Sequence, residues 1–344
     1  MRIDYEFKSA FNEQYSFVAR RILRMLSENS RITTSEMAGQ LKISRQAIAK
    51  RLRKLENDLG ISYVLELNED KLGLSNPHII FVKFGAKPDY EKIRALFLRS
   101  TVPQVAARIS GKYDMFIYAN STSRDEYVHW DKSTQILLSE YKTLWQPSEL
   151  AHRQLGFFPL RNELIEKLDI PPKHKEMIKI LNENSRSSVQ KVAAALGMHF
   201  NTAEYNFKKL LKMGYIRRFT LTMKQRNDLT FMSIFGKYII SGDFENDAAI
   251  ERKALMSDDD YSVISRYIMS AQLVGSFDWF SIGVFDNRKT AYDNDVLYYR
   301  RSMKRQDVRA EYGTIEEVLL GKLPIRSWDA KKRYDVLRWI PSYR

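Results

Sequence analysis

The sequence predicts a mixed α+β fold in which one unit of helices and strands occurs twice. Three observations support this prediction: short motifs that recur in the same order, apolar residues at helical spacing early in each unit, and strand-length apolar segments after them. The chain has 344 residues, of which 44% are hydrophobic. It is therefore long enough to bury several cores and to form two or more domains.

The repeat is carried by three pairs of segments. They are Leu26–Arg31 with Leu181–Arg186, Gly111–Phe116 with Gly275–Phe280, and Gly156–Arg161 with Gly321–Arg326. The members of the pairs lie 155, 164 and 165 residues apart. A constant order with a nearly constant separation predicts an internal duplication.

The opening segment of the first unit predicts three helices, which we call the first head. Apolar residues in Val18–Leu26 recur at helical spacing, and Thr33–Glu36 matches a capping box that begins a second helix. Ser44 caps the third helix, and Gly60 ends it. One face of this third helix is apolar: Ile48, Leu52, Leu55 and Leu59.

The opposite face of the third helix carries polar and basic side chains: Arg45, Gln46, Lys50 and Arg53. Arg and Gln suit base edges in the major groove, and Lys attracts phosphate. From Arg20 to Glu56 there are ten Lys or Arg residues against three acidic ones. An ordinary solvated helix has a similar composition, but the helix-turn-helix spacing favours binding of double-stranded DNA.

The whole composition agrees with a polyanionic partner. Lys and Arg number 56 against 42 Asp and Glu, a formal net charge of +14. Cysteine is absent, which excludes disulfide frameworks and thiol nucleophiles. The five histidines lack metal-site spacing, so we expect no metal and no cofactor. Without a signal-peptide core or an apolar run long enough for a membrane, a cytoplasmic protein is expected.

A strand at Tyr63–Leu67, with apolar residues resuming at Leu72 and Leu74, predicts the wing of a winged helix-turn-helix. After Pro77 the predicted elements are strands 79–85, 104–110 and 113–120, helices 89–100 and 123–141, and an extended segment 144–158. This β-α-β-β-α-β order is the ferredoxin-like arrangement. In the second unit, strands are expected at 233–240, 264–274 and 278–286.

The repeat divides the chain into predicted domains. These are winged helix-turn-helix domains at 1–75 and 163–228, ferredoxin-like sensing domains at 76–162 and 229–326, and a basic aromatic tail at 327–344. The joint between the units is expected near Glu163–Lys173, where Ile170–Pro172 forces extended backbone before the next helix can begin. The two sheets are expected to pack face to face in an internal pseudo-dimer, and homo-oligomers would form through sheet edges.

The residues Arg45–Glu56, Gly60–Tyr63 and Leu67–Gly73 resemble the recognition helix and wing of the Lrp/AsnC, or feast/famine, transcription regulators. Gly111–Asp114 resembles the turn of that family's sensing domain. The resemblance covers nearly the whole chain, twice. It implies a DNA-binding regulator that dimerises through its sheet domain and is controlled by an amino acid or related effector near that turn.

The effector-binding residues implied by this resemblance are Gly111, Asp114, Gly275 and Asp278. The same residues have a simpler interpretation. Glycines between two strands are required by many hairpin turns, and aspartates beside a turn commonly accept hydrogen bonds from its amides. The sequence leaves both interpretations open.

The corresponding segment of the second unit, which we call the second head, differs at the positions that are expected to face DNA. Shifted by 155 residues, Arg45, Gln46, Lys50 and Arg53 become Phe200, Asn201, Tyr205 and Lys208. This set predicts a helix that holds phosphate and contacts few bases. We therefore predict DNA contacts by Ser44, Arg45, Gln46, Lys50 and Arg53 in the first head, and by Asn201, Tyr205 and Lys208 in the second.

Two other functions compete with regulation. Siroheme decarboxylases share this architecture, but they carry a His-containing, Arg-rich strand, whereas residues 105–109 and 113–116 contain no His. A ligand-sensing or protein-binding scaffold whose heads do not bind DNA is the other alternative. The sequence favours a regulator and no enzyme.

Overall fold

The computed structural model describes residues 17–222, 230–238, 267–285, 287–289 and 308–324. The first head forms as predicted, with helices α1 (Phe17–Glu28), α2 (Thr34–Leu41) and α3 (Arg45–Leu59). Thr33 and Glu36 form the capping box, Ser44 caps α3, and Gly60 ends α3 in the left-handed conformation. The apolar face of α3 packs against α1, which buries Ile22, Leu23, Leu26, Ile48, Leu52, Leu55 and Leu59.

The second head contains α7 (Pro172–Glu183), α8 (Val189–Ala195) and α9 (Phe200–Met213). It is preceded by α6 (Asn162–Lys167), which overlaps the start of the predicted joint. Leu164 and Ile165 of α6 are fully buried, and the backbone is extended at Pro171, with φ −53° and ψ 137°, just before α7 begins. Pro172 occupies the first turn of α7, where its missing amide hydrogen costs nothing.

The strand predicted as the wing forms as β1 (Ser62–Leu67), but its partner lies in the second head. It pairs antiparallel with β6 (Ile216–Thr222), with Leu65 opposite Phe219. Both Val64 and Leu65 are buried, so β1 buries both faces, which an exposed hairpin wing cannot do. Residues Asp70–Leu72 follow as a single turn of 3-10 helix.

The remaining strands form one closed barrel. The first unit contributes β2 (His78–Phe84), β3 (Pro103–Gly111), β4 (Met115–Ala119) and β5 (Lys142–Leu155), together with helices α4 (Tyr90–Leu98) and α5 (Arg124–Leu137). The second contributes β7 (Thr230–Tyr238), β8 (Tyr267–Gly275), β9 (Trp279–Phe285) and β10 (Val308–Leu320). The order around the barrel is β10-β3-β4-β2-β5-β8-β9-β7.

Barrel closure differs from the expected pair of separate sheets. The inner faces do share a core, in which the rings of Phe81 and Phe235 lie 3.8 Å apart. The sheet edges are also joined, because β5 pairs with β8 and β3 pairs with β10. Every described barrel strand therefore has two neighbours, which leaves none of them free for the expected association through sheet edges.

Helices α4 and α5 cover the outer face of the first four barrel strands. Alternate residues of β2 point to different cores: Ile79 and Phe81 to the barrel interior, Ile80 and Val82 to the helices. The predicted tail 327–344 and the predicted strand residues 239–240, 264–266 and 286 lie outside the described residues. No helix in the described ranges is both long and apolar enough to cross a membrane.

Candidate nucleic-acid interface

The exposed face of α3 is available for contact with DNA. Gln46, Lys50 and Arg53 are exposed and have no hydrogen-bond or ion-pair partner within the described part of the chain. Arg45, the first residue of α3, lies 3.5 Å from the Ser35 hydroxyl at the start of α2. The Ser44 hydroxyl accepts a hydrogen bond from the Ala47 amide at 3.2 Å, and Ser44 therefore caps α3.

Helix α9 has the same place in the second head. Ala203 and Leu210 are fully buried, as are Ile48 and Leu55 of α3, which fixes the correspondence of the two helices. The opposite face of α9 exposes Phe200, Asn201, Tyr205 and Lys208. The ammonium group of Lys208 lies 3.1 Å from the Glu204 carboxylate, one turn away.

The two heads share strands and cores. Leu221 of β6 packs into the core of the first head, and Leu65 and Leu67 of β1 pack into that of the second. At the centre of the junction, the hydroxyls of Ser30 and Ser185 lie 2.7 Å apart. These serines occupy the same place in the two similar segments Leu26–Arg31 and Leu181–Arg186.

Arg31 and Arg186 extend this junction from each side. Arg31 donates hydrogen bonds to the carbonyls of Ser185 and Ser187, at 2.8 and 2.9 Å, and lies 5.2 Å above the ring of Phe219. Arg186 lies 5.0 Å above the ring of Tyr63. Burial, and then the charge of Arg186, lower the pKa of Arg31, but a guanidinium stays protonated at neutral pH.

Tyr63 and Glu66 of β1 complete the polar part of the junction. Burial and the hydrogen bond to Glu56 raise the pKa of Tyr63 to about 12, so its hydroxyl stays neutral. The buried Glu66 carboxylate lies 3.4 Å from Arg218 and 3.6 Å from Arg217 of β6. The sequence analysis assigned none of these residues to a contact between the heads, although Ser30 and Arg31 belong to the first repeated motif.

Replacing Arg31 with Ala removes the two hydrogen bonds to the second head and the contact with Phe219. We expect the free energy of unfolding to fall by about 1–3 kcal/mol, because the bonds come from a charged donor. Urea denaturation measures this loss. Arg94→Ala is the matched control, since Arg94 is exposed and lies 3.8 Å from Glu91 on its own helix. Equal losses in both variants would contradict the cross-linking role.

Gly111 lies at the turn between β3 and β4, against the opposite half of the barrel. A Cβ atom on Gly111 would lie 2.3 Å from the carbonyl oxygen of Tyr312 in β10. At Gly275 a Cβ would lie 3.0 Å from the carbonyl oxygen of Pro147 in β5. Both glycines also have positive φ angles, 150° and 135°. Close backbone approach is therefore a sufficient physical reason for both residues.

The predicted effector aspartates lie just beyond these turns. The carboxylate of Asp114 accepts hydrogen bonds from the Lys83 ammonium at 2.9 Å and the Phe84 amide at 2.8 Å. The main-chain amide of Asp278 donates to the Gly236 carbonyl at 2.9 Å. Contact of either aspartate with an effector stays a prediction. In the described ranges no three potential metal ligands among His, Cys, Asp and Glu cluster together.

The first head, with its basic third helix, has the arrangement of a helix-turn-helix DNA-binding domain. Residues 18–58 match the family model described as winged helix-turn-helix DNA-binding. An uncharacterised HTH-type transcriptional regulator of Pyrococcus furiosus is 32% identical over 116 residues, which cover 33% of this chain and 77% of that protein. A second such regulator, from Pyrococcus horikoshii, is 30% identical over 111 residues, covering 31% and 72%. The chain belongs to this family of helix-turn-helix transcriptional regulators.

A likeness over nearly the full length comes from a solved structure. The siroheme decarboxylase NirDL superposes with a TM-score of 0.56, covering 94% of this chain and 96% of that one, at 11% identity. At that identity the likeness establishes a common fold only. The fold itself does not assign decarboxylase activity to this chain.

Proposed function

We propose that this protein is an Lrp/AsnC-type, sequence-specific transcription regulator in which two DNA-binding units are fused in one chain. The observation that carries the proposal is the face of α3, where Gln46, Lys50 and Arg53 are exposed without partners in the described ranges. They lie on a helix that is capped at both ends and supported by a buried core. Such a face can enter the major groove without losing any internal contact.

The barrel supports the proposed duplication. The strands β3-β4-β2-β5 of the first unit and β8-β9-β7-β10 of the second follow the same order, which for each unit is that of a ferredoxin-like sheet. Gly156 and Gly321 are also equivalent. A Cβ on either would lie 2.1 or 2.0 Å from a carbonyl oxygen of the other unit, that of Ile268 or Gln104. The same close approach thus occurs at both inter-unit junctions.

The proposed effector is an amino acid or a related small molecule that binds near Gly111 and Gly275. The side chains that follow these turns, Tyr113 and Phe277, meet in the barrel core with ring centroids 5.9 Å apart. A ligand at either turn would therefore act on a contact shared by both halves. The Asp114 carboxylate would have to exchange Lys83 for the ligand's amino group.

Selection of bound duplexes from a random pool, with the full chain, tests the proposal. We expect a non-palindromic site, or one dominant half-site with a sequence-tolerant flank, because α3 and α9 present different side chains. Failure to enrich any sequence would contradict regulation through DNA. A palindrome with two equal halves, bound by one chain, would contradict the asymmetry.

The decarboxylase alternative is tested beside the selection by adding porphyrin and recording absorbance. We expect no shift of the porphyrin band. Residues 105–109 match the His-containing strand of those enzymes. In this chain Val105 and Ala107 lie there, and both are fully buried in the barrel core. Neither side chain can bind a polar ligand. A scaffold whose heads do not bind DNA would give neither an enriched sequence nor a porphyrin shift.

A further inference from the structure

We propose that the second head recognises thymine and adenine, with Phe200 against thymine C5-methyl groups and Asn201 hydrogen-bonded to adenine. The inference rests on the proposed function and extends it to the bases of the second half-site. The first head would recognise guanine and adenine through Arg45 and Gln46. The two half-sites would then differ in chemistry, with the second consisting of A·T pairs.

The position of Phe200 is the first step of the argument. Ser44 and His199 are the N-cap residues of α3 and α9, so Arg45 and Phe200 are the first residues of the two helices. Three residues further on, Ile48 and Ala203 are both fully buried. Phe200 therefore occupies the position from which Arg45 would contact a base.

The second step is the chemistry of an exposed aromatic residue at this position. Phe200 is 49% exposed and Tyr205 is 65% exposed. A phenyl ring neither donates nor accepts conventional hydrogen bonds, so it gains little from most base edges. In the major groove the thymine C5-methyl group is the apolar feature that distinguishes a base. An exposed Phe at the start of a recognition helix therefore matches thymine.

Asn201 supplies the second specificity. It is exposed and makes no side-chain hydrogen bond within the described ranges, so its amide is free for a ligand. The Asn amide can accept from adenine N6 and donate to N7 at once. Because adenine pairs with thymine, Phe200 and Asn201 favour the same kind of base pair.

The charge of α9 identifies duplex DNA as the occupant of this face. Lys208, Lys209 and Lys212 are all exposed on α9, against the single acidic residue Glu204. Glu204 lies beside Lys208 alone, at 3.1 Å. The face therefore combines an apolar contact with net positive charge, as a surface that spans bases and phosphates requires.

The test uses the full chain and the duplex obtained by selection. Each thymine is replaced in turn with uracil, as a deoxyuridine nucleotide, which removes only the C5-methyl group. The dissociation constant for each duplex is measured by fluorescence anisotropy at fixed salt. We expect one or two replacements in the second half-site to weaken binding about three- to fivefold each, as expected for loss of a buried methyl group. The same replacements should not change the dissociation constant of the Phe200→Ala variant.

The control variant is Ile136→Ala, which removes an exposed apolar side chain of α5 far in sequence from both heads. It should respond to deoxyuracil as the parent does. Asn201→Ala should reduce the preference for adenine by roughly 5- to 100-fold. Circular dichroism would verify that each variant is folded.

Several outcomes would overturn the inference while leaving the proposed function intact. They are an enriched site with one half only, a second half-site without thymine, or a loss on deoxyuracil replacement that persists in Phe200→Ala. The first of these would direct attention to a protein partner for α9. Failure to enrich any sequence would instead contradict the proposed function itself.

Discussion

Replacing both Arg45 and Gln46 with Ala is expected to abolish the sequence preference in the first half-site. Each bidentate base contact contributes about 1–3 kcal/mol of discrimination against the wrong base. Loss of both should bring the affinity for the selected site close to that for a duplex in which only the first half-site is scrambled. The fold should be unchanged, because both side chains are exposed and the core residues of α3 lie on its opposite face. Fluorescence anisotropy with the selected site and a scrambled duplex measures the change.

Lys50→Ala is the matched variant on the same helix. As a phosphate contact, Lys50 should strengthen binding to all sequences alike, so its removal should lower both affinities and reduce the slope of log K against log salt by about one. The two variants thus separate recognition of bases from attraction to phosphate. If the Arg45 and Gln46 double variant binds the selected site as tightly as the parent, α3 is not the recognition helix.

The helices of the first head could be predicted because their ends are determined by local chemistry. The capping box at Thr33 and Glu36, the Ser44 cap and the left-handed Gly60 involve residues within one or two turns of each other. The exposed face of α3 followed from the same local rule, since four apolar residues at helical spacing fix which side is buried.

The partner of β1 could not be predicted in this way. The segment Tyr63–Leu67 has the pattern of a strand, but nothing within it distinguishes a local hairpin from pairing with β6, about 150 residues away. Barrel closure has the same origin, because pairing of β5 with β8 and of β3 with β10 joins distant segments. The role of Asp114 was equally undetermined, since its partner Lys83 lies on another strand.

A buried polar network that connects the segment after β1 to the barrel also escaped the sequence analysis. Glu69 follows β1, and its carboxylate accepts hydrogen bonds from Tyr118 at 2.8 Å and Asn120 at 2.6 Å and forms an ion pair with Arg153. Burial raises the pKa of Tyr118, so its hydroxyl stays protonated and donates. Burial alone would lower the pKa of Arg153, but Glu69 outweighs it and the net shift is upward.

Glu69→Gln is therefore expected to lower the free energy of unfolding by about 3–5 kcal/mol, because it leaves the Arg153 guanidinium buried without its counter-ion. Urea denaturation followed by tryptophan fluorescence measures the loss. Glu91→Gln is the control, because the Glu91 carboxylate is exposed. Its loss in free energy of unfolding should be below about 1 kcal/mol.

The double variant Glu69→Gln with Arg153→Met distinguishes a buried charge from a general packing defect. Met fills much of the volume of Arg without charge, and a buried ion pair replaced by apolar groups often costs little. We therefore expect the double variant to recover most of the stability lost by Glu69→Gln alone. A double variant as unstable as the single one, or a single variant as stable as Glu91→Gln, would show that the ion pair does not stabilise the junction between the segment after β1 and the barrel.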